Sequence, residues 1–266
     1  MSSETADTRL EGLDGFRVTI DPAHQRGDVI LARPPMNTVS MLERDQLRRA
    51  FEALDENPAV RVIVLRAEGE HFSSGGYIRG FLEASPEQVS DLAWNIAAPA
   101  RCAKPVIAAN RGYTFGVGFE ISLACDFRIV SETCLYALPE QKLGQIPGSG
   151  GSARLQKIAG IARTKDIVMR SRRIPGRQAL EWGIATECVP DDELEPTVDA
   201  LVGELRAFSP LAQRTAKRLL NETEDALLGA AIALEGHCYG RLRQSDDFRE
   251  GVEAFHEKRA PRFRGS

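Results

Sequence analysis

The sequence predicts an α/β fold built around a covered sheet, and three observations carry that prediction. Strand-like and helix-like segments alternate through the first half of the chain. The strand-like segments are apolar runs without a clean polar face, as expected where helices cover both sides of a sheet. The 266 residues, 42% hydrophobic and 27% charged, supply enough apolar material for one large core or a core with a small appendage.

Taken in order, residues 16–21 (FRVTID) and 28–34 (DVILARP) read as strands joined by the turn PAHQRG. Residues 40–58 follow as an amphipathic helix. Ser40 is placed to cap it, Leu42, Leu47, Ala50, Phe51 and Leu54 are expected to share its apolar face, and Pro58 lies beyond its end. VRVIVLRAEG and KPVIAANRG read as buried strands, CDFRIVS and CLYALPE as two shorter ones. After Gly151 the pattern turns mainly helical. SARLQKIAGIARTKDIVMRS holds one or two helices broken near Gly160, and GRQALEWGIATECV a short helix leading into a strand. From Glu195 onward the chain is expected to be helical, with a new start at Ser209 and Pro210. A soft boundary near residue 200 divides a core (1–200) from a helical C-terminal region (201–266). No internal repeat or low-complexity segment is visible in the sequence.

Bulk properties exclude several classes. A net charge of -4 provides no basic field for nucleic acid or an anionic membrane. The first fifteen residues are polar, without the charged-then-apolar pattern of a signal peptide, and are expected to fray. No apolar run approaches the ~18 residues of a membrane span. The five cysteines (Cys102, Cys125, Cys134, Cys188, Cys238) are scattered, with no C-x-x-C pair, and the four histidines are equally dispersed. A zinc site or disulfide framework is therefore not expected. The cysteines read as small buried hydrophobes in a cytoplasmic protein.

Three segments set glycines beside apolar residues where a strand gives way to a helix: HFSSGGYIRGF (71–81), RGYTFGVGFEISLACDFRI (111–129) and LPEQKLGQIPGSGGSARL (138–155). Glycines there permit positive φ and close approach of backbone to a ligand. A helix starting there offers unpaired N–H groups and the positive end of its dipole. Two such donors from separate loops, aimed at one point, make an oxyanion hole. Glu120 lies on the second segment and Glu140 on the third, each among apolar neighbours. Carboxylates paired in a partly dry site can hold different protonation states and divide acid and base work. Spacing alone equally allows Glu120 to cap its helix and Glu140 to form a surface ion pair. Other patterns fail. PGSGGS lacks the lysine and spacing of a P-loop, and HFSSGG is no nucleophile elbow, so Ser73 and Ser74 are poor nucleophiles. His71 reads as a loop histidine and RSRR (170–173) as a solvated helix end.

HFSSGGYI, KPVIAANRGYTFGVGFEISLACDFRI, ALPEQKLGQIPGSGGSARL, ALEWGIATECV and EGVEAFHEKRAPRF occur in the order and at about the spacing seen in the crotonase (enoyl-CoA hydratase/isomerase) superfamily, which the chain resembles from about residue 15 to its end. The resemblance implies a spiral of ββα units with a helical C-terminal region that builds trimers or dimers of trimers. It implies an acyl-CoA substrate whose thioester oxygen is held by the backbone N–H groups of Gly76 and Val117. Glu120 and Glu140 would handle a water added across an α,β double bond, Glu140 as proton donor and Glu120 positioning and deprotonating the water. Ser74, Tyr77, Ile78, Arg79, Gly148 and Arg262 would meet the acyl-CoA. Coenzyme A enters as part of the substrate, and no separate cofactor, metal, nucleic acid or membrane is expected.

The chain departs from the family pattern at three places. Val117 stands where Gly is frequent, and Tyr77 where many hydratases carry Asp. RPPMNTVS (33–40) is shorter than in short-chain hydratases and lacks a lysine that often meets CoA phosphates, a charge that Arg79 or the basic tail (Lys258, Arg259, Arg262, Arg264) would have to replace. Three other readings stay open at this point: an isomerase, a C–C-cleaving hydrolase or lyase of the same fold, and a non-catalytic binding protein.

Overall fold

In the computed structural model, which describes residues 7–266, the apolar runs pair into a six-stranded sheet. Its order is β1 (Phe16–Asp21), β2 (Arg26–Leu31), β3 (Val62–Ala67), β4 (Val106–Asn110), β6 (Phe127–Ser131) and β9 (Glu187–Val189). Only the β1–β2 pair is antiparallel. The lack of polar faces has a direct cause. Ile63 and Leu65 of β3 pack with Leu47, Phe51 and Leu54 of helix α1 (Met41–Glu56), whereas Val62 and Val64 pack on the opposite face with Leu194, Val198 and Val202 of α9 (Leu194–Ala207). Successive strand side chains point to opposite faces, so a sheet covered twice needs apolar residues at every position.

A second, smaller sheet of β5 (Tyr113–Phe115), β7 (Leu135–Ala137) and β8 (Ile174–Pro175) stands beside the first. Single bridges between Ser73 and Thr114 and between Val39 and Gly76 extend it. The chain thus repeats one move: a strand in the large sheet, a short strand in the small one, then a helix. It does so in β4–β5–α5 (Val117–Leu123) and in β6–β7–α6 (Gly151–Ala159). In β2–Val39–α1 the small-sheet strand shrinks to a bridge. These are the expected ββα units, repeated in backbone where no repeat shows in sequence.

Helix α1 starts in a capping box: Ser40 Oγ accepts from Glu43 N–H, and Glu43 accepts from Ser40 N–H. One expected core residue is misplaced. Leu42 is exposed, because at 100° per residue it lies about 140° around the helix from Leu47; Arg44 takes the buried place instead. Residues 7–15 are also better ordered than expected: Asp7 caps a turn at Thr8–Leu10, and Leu10 and Leu13 pack on the core. Residues 1–6 lie outside the described residues.

Between β3 and β4 run three short helices not anticipated from sequence: α2 (Pro86–Ser90), α3 (Leu92–Ile96) and α4 (Ala98–Arg101). The second half follows expectation more closely. Gly160 separates α6 from α7 (Ile161–Arg170), α8 (Gly176–Glu181) leads into β9, and Ser209 caps α10 (Pro210–Thr223), with Pro210 at its first position. Helices α11 (Leu228–Leu242) and α12 (Asp246–Glu257) complete the chain. Position 200 falls inside α9, which packs on the sheet, so the helices beyond the core begin with α10. That helix is fastened by Lys217, whose Nζ donates to Pro99 O, Lys104 O and Asp126 Oδ2 at 2.7–2.9 Å. Four of the five cysteines are buried and Cys188 is half-buried. Among the described residues no helix is long and apolar enough to cross a membrane.

Candidate active site

The three glycine-bearing segments converge. Ser73 N–H donates to Tyr113 O and Phe115 N–H to Ser73 O, which sets the first loop beside β5. The chain then turns through Gly75 (φ +113°) and Gly116 (φ +51°, ψ -125°), conformations that residues with a β-carbon avoid. A β-carbon on Gly116 would lie 3.6 Å from Gly75 Cα and 3.1 Å from Glu140 Oε1, so the loops and the carboxyl group share one small space. Val117 is the first residue of α5, where an N–H has no partner within the helix. Gly76 follows a residue whose N–H is taken by Ser73 Oγ and precedes one whose N–H goes to Val39 O. The Gly76 and Val117 N–H groups have no acceptor among the described residues.

Glu120 does not cap its own helix. It is 3% exposed, and its Oε1 accepts from Ser149 N–H at 2.7 Å and Gly151 N–H at 3.1 Å. The glycine-rich PGSGGS stretch, the wrong sequence for a phosphate loop, is thus an anion cradle at the start of α6 whose anion is this carboxylate. Glu140 opens a short 3₁₀ turn (Glu140–Leu143) after β7. It forms no surface ion pair, and its buried Oε2 has no hydrogen-bond partner. Burial pushes its pKa up to about 7; the Glu120 charge adds to the rise and Arg44 opposes it. The two carboxyl groups are therefore unlike: one is held by two N–H donors, and the other has a buried oxygen that no donor reaches and is inclined to keep its proton.

The remaining candidates divide. Ser74 is half-buried and its N–H goes to Met36 O. Tyr77, Ile78 and Arg79 are exposed on the rim after Gly76, and Gly148 is exposed with open space around it. Arg262 is not brought to the site. It lies past α12 in a cleft with Arg259, Arg264 and Glu250, and its N–H donates to Glu250. Ser73 is structural, with its hydroxyl donating to Asn37 O. His71 stacks on Tyr113 and accepts from its N–H, in keeping with its reading as a loop residue. RSRR is largely a solvated helix end, as read: Arg170 and Arg173 are exposed where α7 stops, and half-buried Arg172 pairs with Asp166.

Sequence reasoning missed Arg44 and Arg154. Arg44 is 3% exposed, its Nη1 is 3.5 Å from Ser149 Oγ, and its Nη2 would touch a β-carbon on Gly76 at 2.7 Å. Arg154, on α6, points its Nη1 toward Ser149 O. The signal for Arg44 was present: Leu47, Phe51 and Leu54 follow it at i+3, i+7 and i+10, the spacing of one helix face.

The chain is similar to known proteins over nearly its whole length. A sequence profile described as enoyl-CoA hydratase/isomerase matches residues 27–266. The chain is 33% identical over 246 residues to a carnitinyl-CoA dehydratase of Proteus mirabilis, covering 90% of this chain and 94% of the relative. It is 31% identical to a probable enoyl-CoA hydratase of Mycobacterium leprae, covering 92% and 97%. Among solved structures, an enoyl-CoA hydratase of Bacillus anthracis superposes with a TM-score of 0.88 at 30% identity, covering 95% of this chain and all of that one.

Proposed function

This chain belongs to the enoyl-CoA hydratase/isomerase family, and from that premise we propose that it adds water to a 2-enoyl-CoA thioester, giving a 3-hydroxyacyl-CoA. The observation that carries the reading is the pair of unlike carboxyl groups, Glu120 and Glu140, beside two N–H groups without acceptors. Addition of water at the β-carbon moves negative charge onto the thioester oxygen. The Gly76 and Val117 N–H groups stabilise that oxygen, each such donor contributing about 3–4 kcal/mol. Glu120, anchored through Oε1, orients the water and takes its proton; Glu140 delivers a proton to the α-carbon. Run backwards, the same pair dehydrates a 3-hydroxyacyl thioester, the direction in the name of the carnitinyl-CoA dehydratases. The presence of both carboxyl groups favours this over the isomerase, hydrolase and binding-protein readings.

Ser74, Tyr77, Ile78, Arg79 and Gly148 border the site on its open side and are proposed to meet the thioester and its CoA portion. The basic tail is a weaker candidate, because Arg259 is already paired with Glu250 and Glu257. No separate cofactor is required. A homotrimer or dimer of trimers is supported by apolar side chains left exposed on α11 and α12, among them Leu228, Ile232, Tyr239 and Phe255.

The test is turnover of a panel of linear, branched, aromatic and anionic 2-enoyl-CoA thioesters, followed by loss of enoyl absorbance and by product mass. A product heavier by one water is the expected result; shifted double bonds or shortened acyl chains would overturn the reading. The Gly116 turn gives a second check. Gly116→Ala places a methyl group against Glu140 in a backbone conformation that costs about 1–3 kcal/mol. A loss of at least about tenfold in kcat/KM is expected, since misplaced donors lose transition-state contact. Full activity in this variant would remove the Gly116 loop from the site.

A further inference from the structure

Arg44 is the buried group that the proposed hydration does not use. Its guanidinium, with five N–H donors, sits between the Gly76 loop and the Ser149 loop, against the Phe81 ring. The side chain is 97% buried by the measure of its 3% exposure, yet its only hydrogen bond among the described residues is the long one to Ser149 Oγ, and its Nε has no partner. A buried charge ordinarily appears with close counter-charge, because desolvation is otherwise uncompensated. The neighbouring carboxylates do not supply that. Glu43 is paired with Arg33 at 2.8 Å, and Glu120 is held by two N–H donors with Arg154 also close to its cradle. Glu140 carries no charge while it holds the proton for the α-carbon. Arg154 lies in a neighbouring cavity with Glu224 as a further carboxylate neighbour, so Arg44 is the guanidinium at the site that makes no hydrogen bond to a carboxylate.

We infer that Arg44 recognises a carboxylate on the acyl group of the substrate, making the preferred substrate a short 2-enoyl-CoA that ends in a carboxylate. A guanidinium binds a carboxylate through two parallel N–H···O bonds, which would use the donors now without acceptors. An acyl group carrying a fixed cation would be repelled by the same charge. This inference rests on the acyl-CoA reading of the site and names its substrate class.

Two measurements separate failure of the inference from failure of the hydratase reading. In the first, calorimetric titration of the wild-type protein compares glutaryl-CoA with pentanoyl-CoA, saturated thioesters of equal chain length that cannot be hydrated. Glutaryl-CoA is expected to bind at least about tenfold more tightly, the scale of one charge-assisted contact; equal or weaker binding overturns the inference whether or not the protein hydrates anything. In the second, kcat/KM is measured for glutaconyl-CoA and for pent-2-enoyl-CoA with wild type, Arg44→Met and Arg44→Lys. The ratio of the two is expected to fall at least about 30-fold in Arg44→Met and by less in Arg44→Lys, which keeps the charge and loses the fork. Equal losses on both substrates would show that Arg44 serves the glutamates or the fold and not the acyl carboxylate. Should a variant fail to fold, the wild-type binding comparison decides alone.

Discussion

Replacing Glu140 with Gln is expected to lower kcat/KM for enoyl-CoA hydration about 10²–10⁴-fold, the contribution of a positioned general acid. Gln fills the same space and has no acidic proton to give the α-carbon. The wild-type pH profile should carry the same signature. With the Glu140 pKa raised to about 7 by burial, the group is mostly protonated at pH 6 and mostly ionised at pH 8. Hydration should therefore fall about tenfold per pH unit above neutrality, as the carboxyl pair loses the single proton it needs. Glu120→Gln should show a loss of similar size for a different reason. Its amide oxygen can still accept from Ser149 and Gly151 N–H, so the cradle survives, while the end facing the water becomes an amide that takes no proton. Steady-state kinetics on the two variants between pH 5 and 9 check this. Activity indifferent to either substitution would end the two-carboxyl mechanism.

The second large effect concerns stability. Lys217→Met should destabilise the protein by about 3–5 kcal/mol, measured by denaturant unfolding at neutral pH, because it leaves a buried charge without its partner. Lys217 is 8% exposed in its side chain, and it joins α10 to the α4–β4 connection and to Asp126 before β6. Asp126 also accepts from Val106 N–H, so it is held at the start of β4. Burial outweighs Lys217 and keeps the Asp126 carboxyl above the ordinary carboxylate range. A carboxyl group with a raised folded-state pKa holds its proton more tightly when folded, so its contribution to stability falls as pH rises through that window. In Lys217→Met the rise is larger, and the defect should shrink as pH is lowered and Asp126 takes up a proton. Lys217→Met combined with Asp126→Asn should recover part of the loss at neutral pH. A cost below about 1 kcal/mol would instead mark the pair as no stronger than an exposed ion pair.

How much of this was legible in advance differs by element. The buried strands β3, β4 and β6 could be read because a doubly covered strand must be apolar at each position. Helix α1 and the break at Gly160 could be read from capping and from glycine. The short strands β5 and β8, three and two residues long, carry too little sequence for any periodicity, and they exist because neighbouring turns of the spiral lay backbone beside backbone. The helices between residues 86 and 101 are likewise four or five residues each, too short to show a full amphipathic repeat.

The site divides along the same line. Sequence pattern marked Glu120, Glu140 and the junction glycines only as candidates, because lone carboxylates beside glycines stand out against an apolar background, and the family resemblance supplied their expected roles. The sequence left two questions open that are matters of distance across the chain. Whether Glu120 caps its own helix or rests in the N-terminus of another was decided by a contact spanning residues 120 to 151. Whether Arg44 points to water or into the site was decided by packing: its helix must turn Leu47, Phe51 and Leu54 toward the sheet, and a residue one turn earlier on that stripe goes inward with them. Local patterns fix which residues can do chemistry, whereas burial and partner geometry, which depend on segments a hundred residues apart, fix which of them hold a charge, a proton or an unfilled hydrogen bond.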